Sequence, residues 1–141
     1  TTPPVVQVDK PQPLTKEDER QIQCLADNIY YEARGQSKRG QIAVTNVVLN
    51  RVNDKRFPKD PCSVIKQKRG KVCQFSWVCK RPGGAKDMNA YRLAKNIAKD
   101  MYLNKIRDIT RGSLYFHSAY TNPGWKYKRM IRIDDHIFYK G

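Results

Sequence analysis

The sequence predicts one α+β domain that is mainly helical, with a small β part and a C-terminal hairpin. Three stretches repeat apolar residues at helical spacing, whereas the β-prone runs are short and lie after residue 71. The length of 141 residues suits one domain. We expect this domain at residues 15–141, preceded at 1–14 by an extended tail or linker that holds four of the eight prolines.

The first predicted helix follows Thr15, a good N-cap residue, and ends before Gly35, which suits the position after a helix C-terminus. Its buried face is predicted from a 3.6-residue apolar repeat: Ile22, Leu25, Ala26, Ile29 and Ala33. Glu32 falls in the last turn, where the backbone carbonyls disfavour a negative charge. Partial burial there would raise the pKa of Glu32.

Two further helices are predicted, one from about Gly40 to Val52 and one that begins after Asp87 as N-cap. The apolar face of the latter is predicted as Ala90, Leu93, Ala94, Ile97, Ala98 and Met101. Between these helices we expect a loop at 53–61, one short helical turn at 63–67 and a basic loop at 66–71.

The β part is predicted in two places. Residues 72–78 carry β-branched and aromatic side chains, and within them Gln74 and Ser76 alternate with Phe75 and Trp77 as in a strand. The runs 128–133 and 136–139 flank an Asp-Asp pair, which predicts a terminal hairpin.

The four cysteines are Cys24, Cys62, Cys73 and Cys79. None forms the closely spaced pair that is typical of structural zinc sites, so no metal is expected. Four cysteines allow three complete pairings, and the spacing does not select one. A bridge within residues 62–79 and four buried thiols are the two interpretations that remain.

The chain is strongly basic. Lysine and arginine total 28 against 13 acidic residues, for a net charge of +15, and residues 51–81 alone hold ten basic and two acidic residues. Such a charge predicts attraction to polyanions: anionic cell-envelope polymers, nucleic acid or lipid headgroups. No apolar run approaches the roughly 20 residues of a membrane-spanning helix.

Several sequence blocks follow one another in an order that resembles the cell-wall hydrolase family typified by the spore-cortex-lytic enzyme SleB. The blocks lie at 29–35, 40–44, 48–52, 57–58, 73–77, 115–117, 122–125 and 136–139, so the resemblance covers about residues 22–140. It implies a lysozyme-like fold and cleavage of peptidoglycan glycan strands between N-acetylmuramic acid and N-acetylglucosamine.

The resemblance also implies that Glu32 is the catalytic acid, since it matches the first glutamate of the family signature Glu-Ala-Arg-Gly-Glu. Glycosidic cleavage needs a carboxylic acid that protonates the leaving oxygen. The second glutamate of the signature is Gln36 in this chain. This departure favours a single-acid lytic transglycosylase, which forms a 1,6-anhydro product. A hydrolytic muramidase is the alternative, with Asp27, Asp54 and Asp60 as candidates for a second carboxylate.

Substrate contacts are expected in two segments, 74–77 and 115–125. The predicted residues are Gln74, Phe75, Ser76, Tyr115, His117, Tyr120, Asn122 and Trp125. Amide, hydroxyl and aromatic side chains of this kind hydrogen-bond to sugars and stack on them. The structural alternative is that the aromatic residues belong to the core and that His117 and His136 are hydrogen-bonded structural residues.

We therefore expect a monomeric enzyme without a cofactor that binds peptidoglycan glycan strands and, through its basic surface, anionic cell-envelope polymers. It would act at the bacterial cell wall, in the periplasm or outside the cell, or as a phage lysis protein made in the host cytoplasm. Two non-catalytic alternatives are a wall-binding protein and a basic nucleic-acid-binding module, although no recognised nucleic-acid-binding motif occurs.

Overall fold

The computed structural model describes residues 13–104 and 106–141, which contain five helices and five strands. In chain order these are α1 (Lys16–Ala33), α2 (Lys38–Val52), α3 (Pro61–Ile65), β1 (Lys68–Arg69), β2 (Val72–Cys73), α4 (Ser76–Lys80), α5 (Met88–Leu103), β3 (Tyr115–Ser118), β4 (Lys128–Ile133) and β5 (His136–Lys140). The α+β class is confirmed. The predicted tail at 1–14 lies almost wholly outside the described residues.

Helix α1 is the centre of the helical core. Thr15 caps it, because the Thr15 hydroxyl accepts a hydrogen bond from the Asp18 amide at 3.0 Å and the Asp18 carboxylate accepts one from the Thr15 amide at 3.0 Å. Ile22, Leu25 and Ile29 are buried in the core, as the apolar repeat predicts. Burial of each such side chain contributes about 2 kcal/mol to stability.

Helices α2 and α5 also form where the sequence predicts them. Helix α2 begins at Lys38, slightly before the predicted Gly40, because the Ser37 hydroxyl caps it. Asp87 caps α5 by accepting a hydrogen bond from the Ala90 amide at 3.0 Å. One residue of the predicted apolar face is wrong: Leu93 is 60% exposed, because it lies at the edge of the face that Ala94, Ile97, Ala98 and Met101 bury, as predicted.

The three-stranded antiparallel sheet has the order β3-β5-β4, and its β4–β5 pair is the predicted hairpin. Phe116 of β3 lies opposite Phe138 of β5, and both rings pack toward the helices. Because neighbouring residues of a strand point to opposite faces, Tyr115 and His117 lie on the outer face of the sheet. The sheet therefore covers the core with one face and presents aromatic groups on the other.

The predicted strand at 72–78 is wrong beyond Cys73. Strand β2 ends there, and Ser76–Lys80 forms the short helix α4. A disulfide joins Cys73 to Cys79 and holds their Cα atoms 5.8 Å apart, whereas a strand would separate residues six apart by about 20 Å. The basic loop predicted at 66–71 contains β1, which pairs with β2 as a small hairpin.

A second disulfide joins Cys24 of α1 to Cys62 of α3. The cysteines are therefore paired as Cys24–Cys62 and Cys73–Cys79, one of the three pairings that the spacing allowed. The alternative of four buried thiols is wrong. The predicted helical turn at 63–67 forms slightly earlier, from Pro61, because Asp60 caps it by accepting a hydrogen bond from the Ser63 amide at 2.9 Å.

The turn between β4 and β5 is anchored to the turn between α1 and α2. The Asp134 carboxylate accepts hydrogen bonds from the amide and the hydroxyl of Ser37 at 2.8 and 2.6 Å. Gln36 makes two further bonds to Asp135. The sheet is thereby fixed beside the C-terminal end of α1. Among the described residues, no helix combines the length and hydrophobicity that crossing a bilayer requires.

Candidate active site

Glu32 is the penultimate residue of α1, and its side chain is half-buried. Burial raises the pKa of the Glu32 carboxyl from its ordinary value of 4.5 to about 7. The nearby positive charge of Lys80 acts in the opposite direction but is the smaller effect. A carboxyl group with this pKa exists in both protonation states near neutral pH, so it can donate a proton and also take one up.

The surroundings of Glu32 explain why Arg34 does not neutralise it. The Arg34 guanidinium donates a hydrogen bond to the Tyr30 hydroxyl and lies over the Tyr30 ring, with its central carbon 4.4 Å from the ring centre. The Tyr30 hydroxyl in turn accepts bonds from the backbone amides of Lys86 and Asp87. The arginine is therefore held by a neighbouring aromatic ring of α1.

Helix α4 is fixed against the turn of α1 that carries the glutamate. The Trp77 indole donates a hydrogen bond to Asn28 at 2.8 Å, and its ring stacks on Tyr31 with ring centres 5.0 Å apart. Asn28 precedes Glu32 by one helical turn and is buried. This contact brings Lys80, at the end of α4, near the Glu32 carboxyl.

The carboxylates considered as a second catalytic group are engaged elsewhere. Asp27 accepts hydrogen bonds from Gln23 and the Tyr91 hydroxyl, both at 3.0 Å. Asp54 pairs with Arg56 at 3.0 Å, which lowers the pKa of Asp54 to about 2. Asp60 caps α3. Each of the three thus has a structural partner.

A groove of about 630 Å³ lies between the β1–β2 hairpin and the outer face of β3. Three of the predicted substrate contacts line it: Gln74, Tyr115 and Trp125. The remaining lining residues are Arg56, Phe57, Gln67, Lys68, Arg69, Val72, Cys73 and Tyr127. Glu32 is not one of them. Segment 74–80 connects the two places, because it runs from the groove at Gln74 to Lys80 near Glu32.

One wall of the groove is a cluster of aromatic rings on the outer sheet face. Tyr115 stacks on Tyr127 with ring centres 4.2 Å apart, and Trp125 lies 6.0 Å from Tyr115. His117 supports this cluster: its ring lies 5.1 Å from Trp125, and its Nε2 atom is 2.8 Å from the Tyr139 hydroxyl. Because His117 Nδ1 lies 2.6 Å from the Ser118 carbonyl, Nδ1 carries a hydrogen and donates it.

The other predicted contacts are not part of this groove. Phe75 is 4% exposed and packs toward Phe116, so the predicted substrate contact of Phe75 is wrong: the ring belongs to the core. Ser76 is exposed at the start of α4. Tyr120 is 77% exposed and donates a hydrogen bond to Asp135, and Asn122 accepts one from the Gly124 amide within its own loop.

Sequence reasoning did not name eight of the groove-lining residues as site residues, among them Gln67, Lys68, Arg69 and Tyr127, and it also missed Lys80 and Tyr139. Tyr139 was within a recognised sequence block, and its place opposite Tyr115 follows from the β3–β5 register. Tyr127 had no comparable signal, since it lies between two lysines in the segment before β4. The position of Lys80 near Glu32 depends on the unpredicted helix α4.

Comparison with known proteins identifies a matching family and several similar enzymes. The pattern of the Cell Wall Hydrolase family matches residues 35–139, a span that begins just after Glu32. A spore cortex-lytic enzyme of Bacillus cereus is 32% identical over 124 residues, which cover 84% of this chain and 44% of that enzyme. The corresponding enzyme of Oceanobacillus iheyensis is 32% identical, over 94% of this chain and 45% of its own length. The chain spans less than half the length of these curated relatives.

Two solved structures are similar. The catalytic domain of the germination-specific lytic transglycosylase SleB from Bacillus anthracis superposes with a TM-score of 0.69 at 28% identity, over 93% of this chain and all of that domain. The catalytic domain of the Bacillus cereus SleB protein gives a TM-score of 0.66 at 28% identity, over 86% of this chain and 91% of that domain.

Proposed function

This chain belongs to the Cell Wall Hydrolase family, and we propose that it cleaves peptidoglycan glycan strands between N-acetylmuramic acid and N-acetylglucosamine, with Glu32 as general acid and base. The observation that carries the proposal is the half-buried Glu32 carboxyl, whose pKa is raised to about 7. An acid with this pKa is protonated in about half of the molecules at neutral pH.

We propose a lytic transglycosylase mechanism. Glu32 donates its proton to the glycosidic oxygen as the bond from C1 of muramic acid breaks. The resulting carboxylate then accepts the proton of the muramyl C6 hydroxyl, whose oxygen attacks C1 and closes a 1,6-anhydro ring. One carboxyl group performs both transfers and returns to its protonated form, so no second carboxylate is needed.

This mechanism is favoured over hydrolysis because the alternative carboxylates are committed to other roles. Asp54 pairs with Arg56 and Asp60 caps α3, while Asp27 is bound by Tyr91. Gln36 places an amide where the family signature has its second glutamate. The Bacillus anthracis domain, a lytic transglycosylase by description, supports the same choice.

The net charge of the chain indicates its proposed partners, and its two disulfides indicate where it acts. A net charge of +15 attracts the carboxylates and phosphates of a bacterial envelope. Two disulfides suit an oxidising compartment, so action in the periplasm or outside the cell is proposed. We propose that Gln74, Tyr115 and Trp125 bind the glycan and that the chain acts as a monomer without a cofactor.

The test is a digest of purified sacculi, with the soluble fragments identified by mass spectrometry. The proposal predicts fragments that end in 1,6-anhydromuramic acid, which are lighter by one water than hydrated ends. Hydrated muramic ends would identify a muramidase instead. Sacculi that release no glycan fragment at any pH between about 5 and 8, an interval that contains the pKa of Glu32, would contradict both.

A further inference from the structure

The groove beside β3 has a positive charge buried beneath it. Arg51 of α2 is 1% exposed and donates a hydrogen bond from Nε to the Leu114 carbonyl at 2.7 Å. Its guanidinium carbon lies 5.0 Å from the ring centre of Phe57 and 5.2 Å from that of Tyr115, and both of these rings line the groove. Arg51 Nη1 has no hydrogen-bond partner within the described part of the chain.

The hairpin side of the groove adds exposed cations. Lys68 and Arg69 of β1 both line it, and within residues 13–104 and 106–141 neither forms an ion pair. Arg56 also lines the groove, but Asp54 pairs with it at 3.0 Å and balances its charge. No acidic residue is among the described residues that line the groove. Positive charge therefore lies beneath the groove, at Arg51, and along its hairpin side, at Lys68 and Arg69.

The opposite side suits a sugar. Tyr115, Tyr127 and Trp125 present aromatic rings, and Gln67 and Gln74, which flank the β1–β2 hairpin, also line the groove. Aromatic faces stack on sugar rings, and a cluster of unbalanced cations selects an anionic group. The volume of about 630 Å³ is large enough for a sugar and its substituent.

We propose that this groove binds a muramyl residue through the carboxylates carried on its O3 substituent. Lys68 and Arg69 face the carboxylates of the stem peptide, the buried charge of Arg51 favours the anion from beneath, and the aromatic wall holds the sugar. The inference rests on the proposed function, because it assigns a part of the same polymer to the groove. It predicts that the enzyme prefers glycan whose stem peptides keep their free carboxylates.

The experiment measures binding directly and does not require catalysis. The probe is a soluble disaccharide-peptide fragment of peptidoglycan, compared with the same fragment after its carboxylates are converted to methylamides. Binding to the full chain is followed by calorimetry. The disaccharide without a peptide, whose lactyl carboxylate is free, distinguishes a lactyl from a peptide carboxylate as the recognised group.

The matched variants remove two positive charges at different places. Lys68→Gln/Arg69→Gln changes the groove, and Lys95→Gln/Lys99→Gln changes exposed lysines of α5 that do not line it. We expect the groove variant to bind the charged fragment roughly three- to tenfold more weakly. It should bind the methylamide fragment as the wild type does, and the α5 variant should match the wild type on both.

Equal affinity of the wild type for the charged and methylamide fragments would overturn the inference. An unchanged affinity of the groove variant, or no measurable binding of either fragment, would also overturn it. Release of glycan fragments from sacculi by the wild type is measured in parallel. If the wild type releases glycan fragments but binds the charged and methylamide probes equally, the groove assignment alone is refuted. If it releases no glycan fragments, the proposed function is refuted, whatever the binding measurements show.

Discussion

Glu32 combines two features that each oppose ionisation. Its position in the last turn of α1 sets it among carbonyl groups, and its half-burial removes water from the carboxylate. Burial is the larger contribution to the raised pKa, and Lys80 limits the rise. The first feature could be predicted from the helix periodicity and Gly35, whereas the burial of Glu32 is seen only in the folded chain.

The raised pKa predicts a specific pH dependence of stability. Between pH 4.5 and about 7 the native Glu32 keeps a proton that the unfolded chain has lost, so the free energy of unfolding falls as the pH rises through this interval. The loss amounts to about 3 kcal/mol. Urea unfolding at a series of pH values should show this extra decline in the wild type and not in Glu32→Gln.

The matched control for that measurement is Glu19→Gln, which changes an exposed glutamate earlier in the same helix. Its unfolding free energy should follow the wild-type pH dependence. Parallel curves for the wild type and Glu32→Gln would mean that the carboxyl titrates alike in the folded and unfolded chains.

Gln36 has a structural task that explains why an amide is suited to its position. Its Nε2 donates to the Asp135 carboxylate at 3.3 Å, and its Oε1 accepts from the Asp135 amide at 3.1 Å. A glutamate at this position would keep the second bond and replace the first with repulsion between two carboxylates.

Gln36→Glu, which restores the family's second glutamate, is therefore predicted to lower the free energy of unfolding by about 1 kcal/mol at pH 7. Adding Asp135→Asn should recover most of the loss, because the new amide can donate to the glutamate. Chemical denaturation of the single and double variants checks this. A single variant as stable as the wild type would show that the side chains do not interact.

At the scale of elements, the three long helices were predicted well, because α1 and α5 each bury one face and because each of α1, α2 and α5 has a capping side chain. Alternation failed at 72–78 for a physical reason. The pattern Gln-Phe-Ser-Trp fits a strand. The Cys73–Cys79 bridge and the Trp77–Asn28 hydrogen bond are tertiary contacts that a local sequence pattern does not reveal. Both act on a segment too short for local preference to decide its structure.

The two disulfides should contribute unequally to stability. Cys24–Cys62 spans a sequence separation of 38 and Cys73–Cys79 a separation of 6, so the first restricts the unfolded chain more. Replacing both cysteines of a pair with serine is predicted to cost about 4 kcal/mol for the first bridge and about 2 kcal/mol for the second. Urea unfolding of the two double variants compares them, and the reverse order would contradict this account.

On the scale of the whole molecule, the groove could be anticipated only in part. Its β3 side was indicated by Tyr115 and Trp125, and its hairpin side by Gln74. The convergence of Gln67, Lys68 and Tyr127 with them depends on how the β1–β2 hairpin faces the sheet, which no local pattern encodes. Phe75 was misjudged because a half-buried strand and a core aromatic look alike in sequence.

The fold shows where several of the basic residues of this chain lie relative to the groove and to Glu32. Among the ten basic residues of segment 51–81, Arg51 is buried beneath the groove, Lys68 and Arg69 line it, and Lys80 at the end of α4 lies near Glu32. A charge distribution that surrounds both the groove and the candidate acid suits a polymer whose substituents are anionic.

The most direct measurement is the rate at which Glu32→Gln lyses purified sacculi, followed by turbidity beside the wild type and Glu19→Gln. Because the amide cannot donate a proton to the leaving oxygen, we expect a loss of roughly a thousandfold for Glu32→Gln and a wild-type rate for Glu19→Gln. A Glu32→Gln protein that lyses sacculi at the wild-type rate would contradict it.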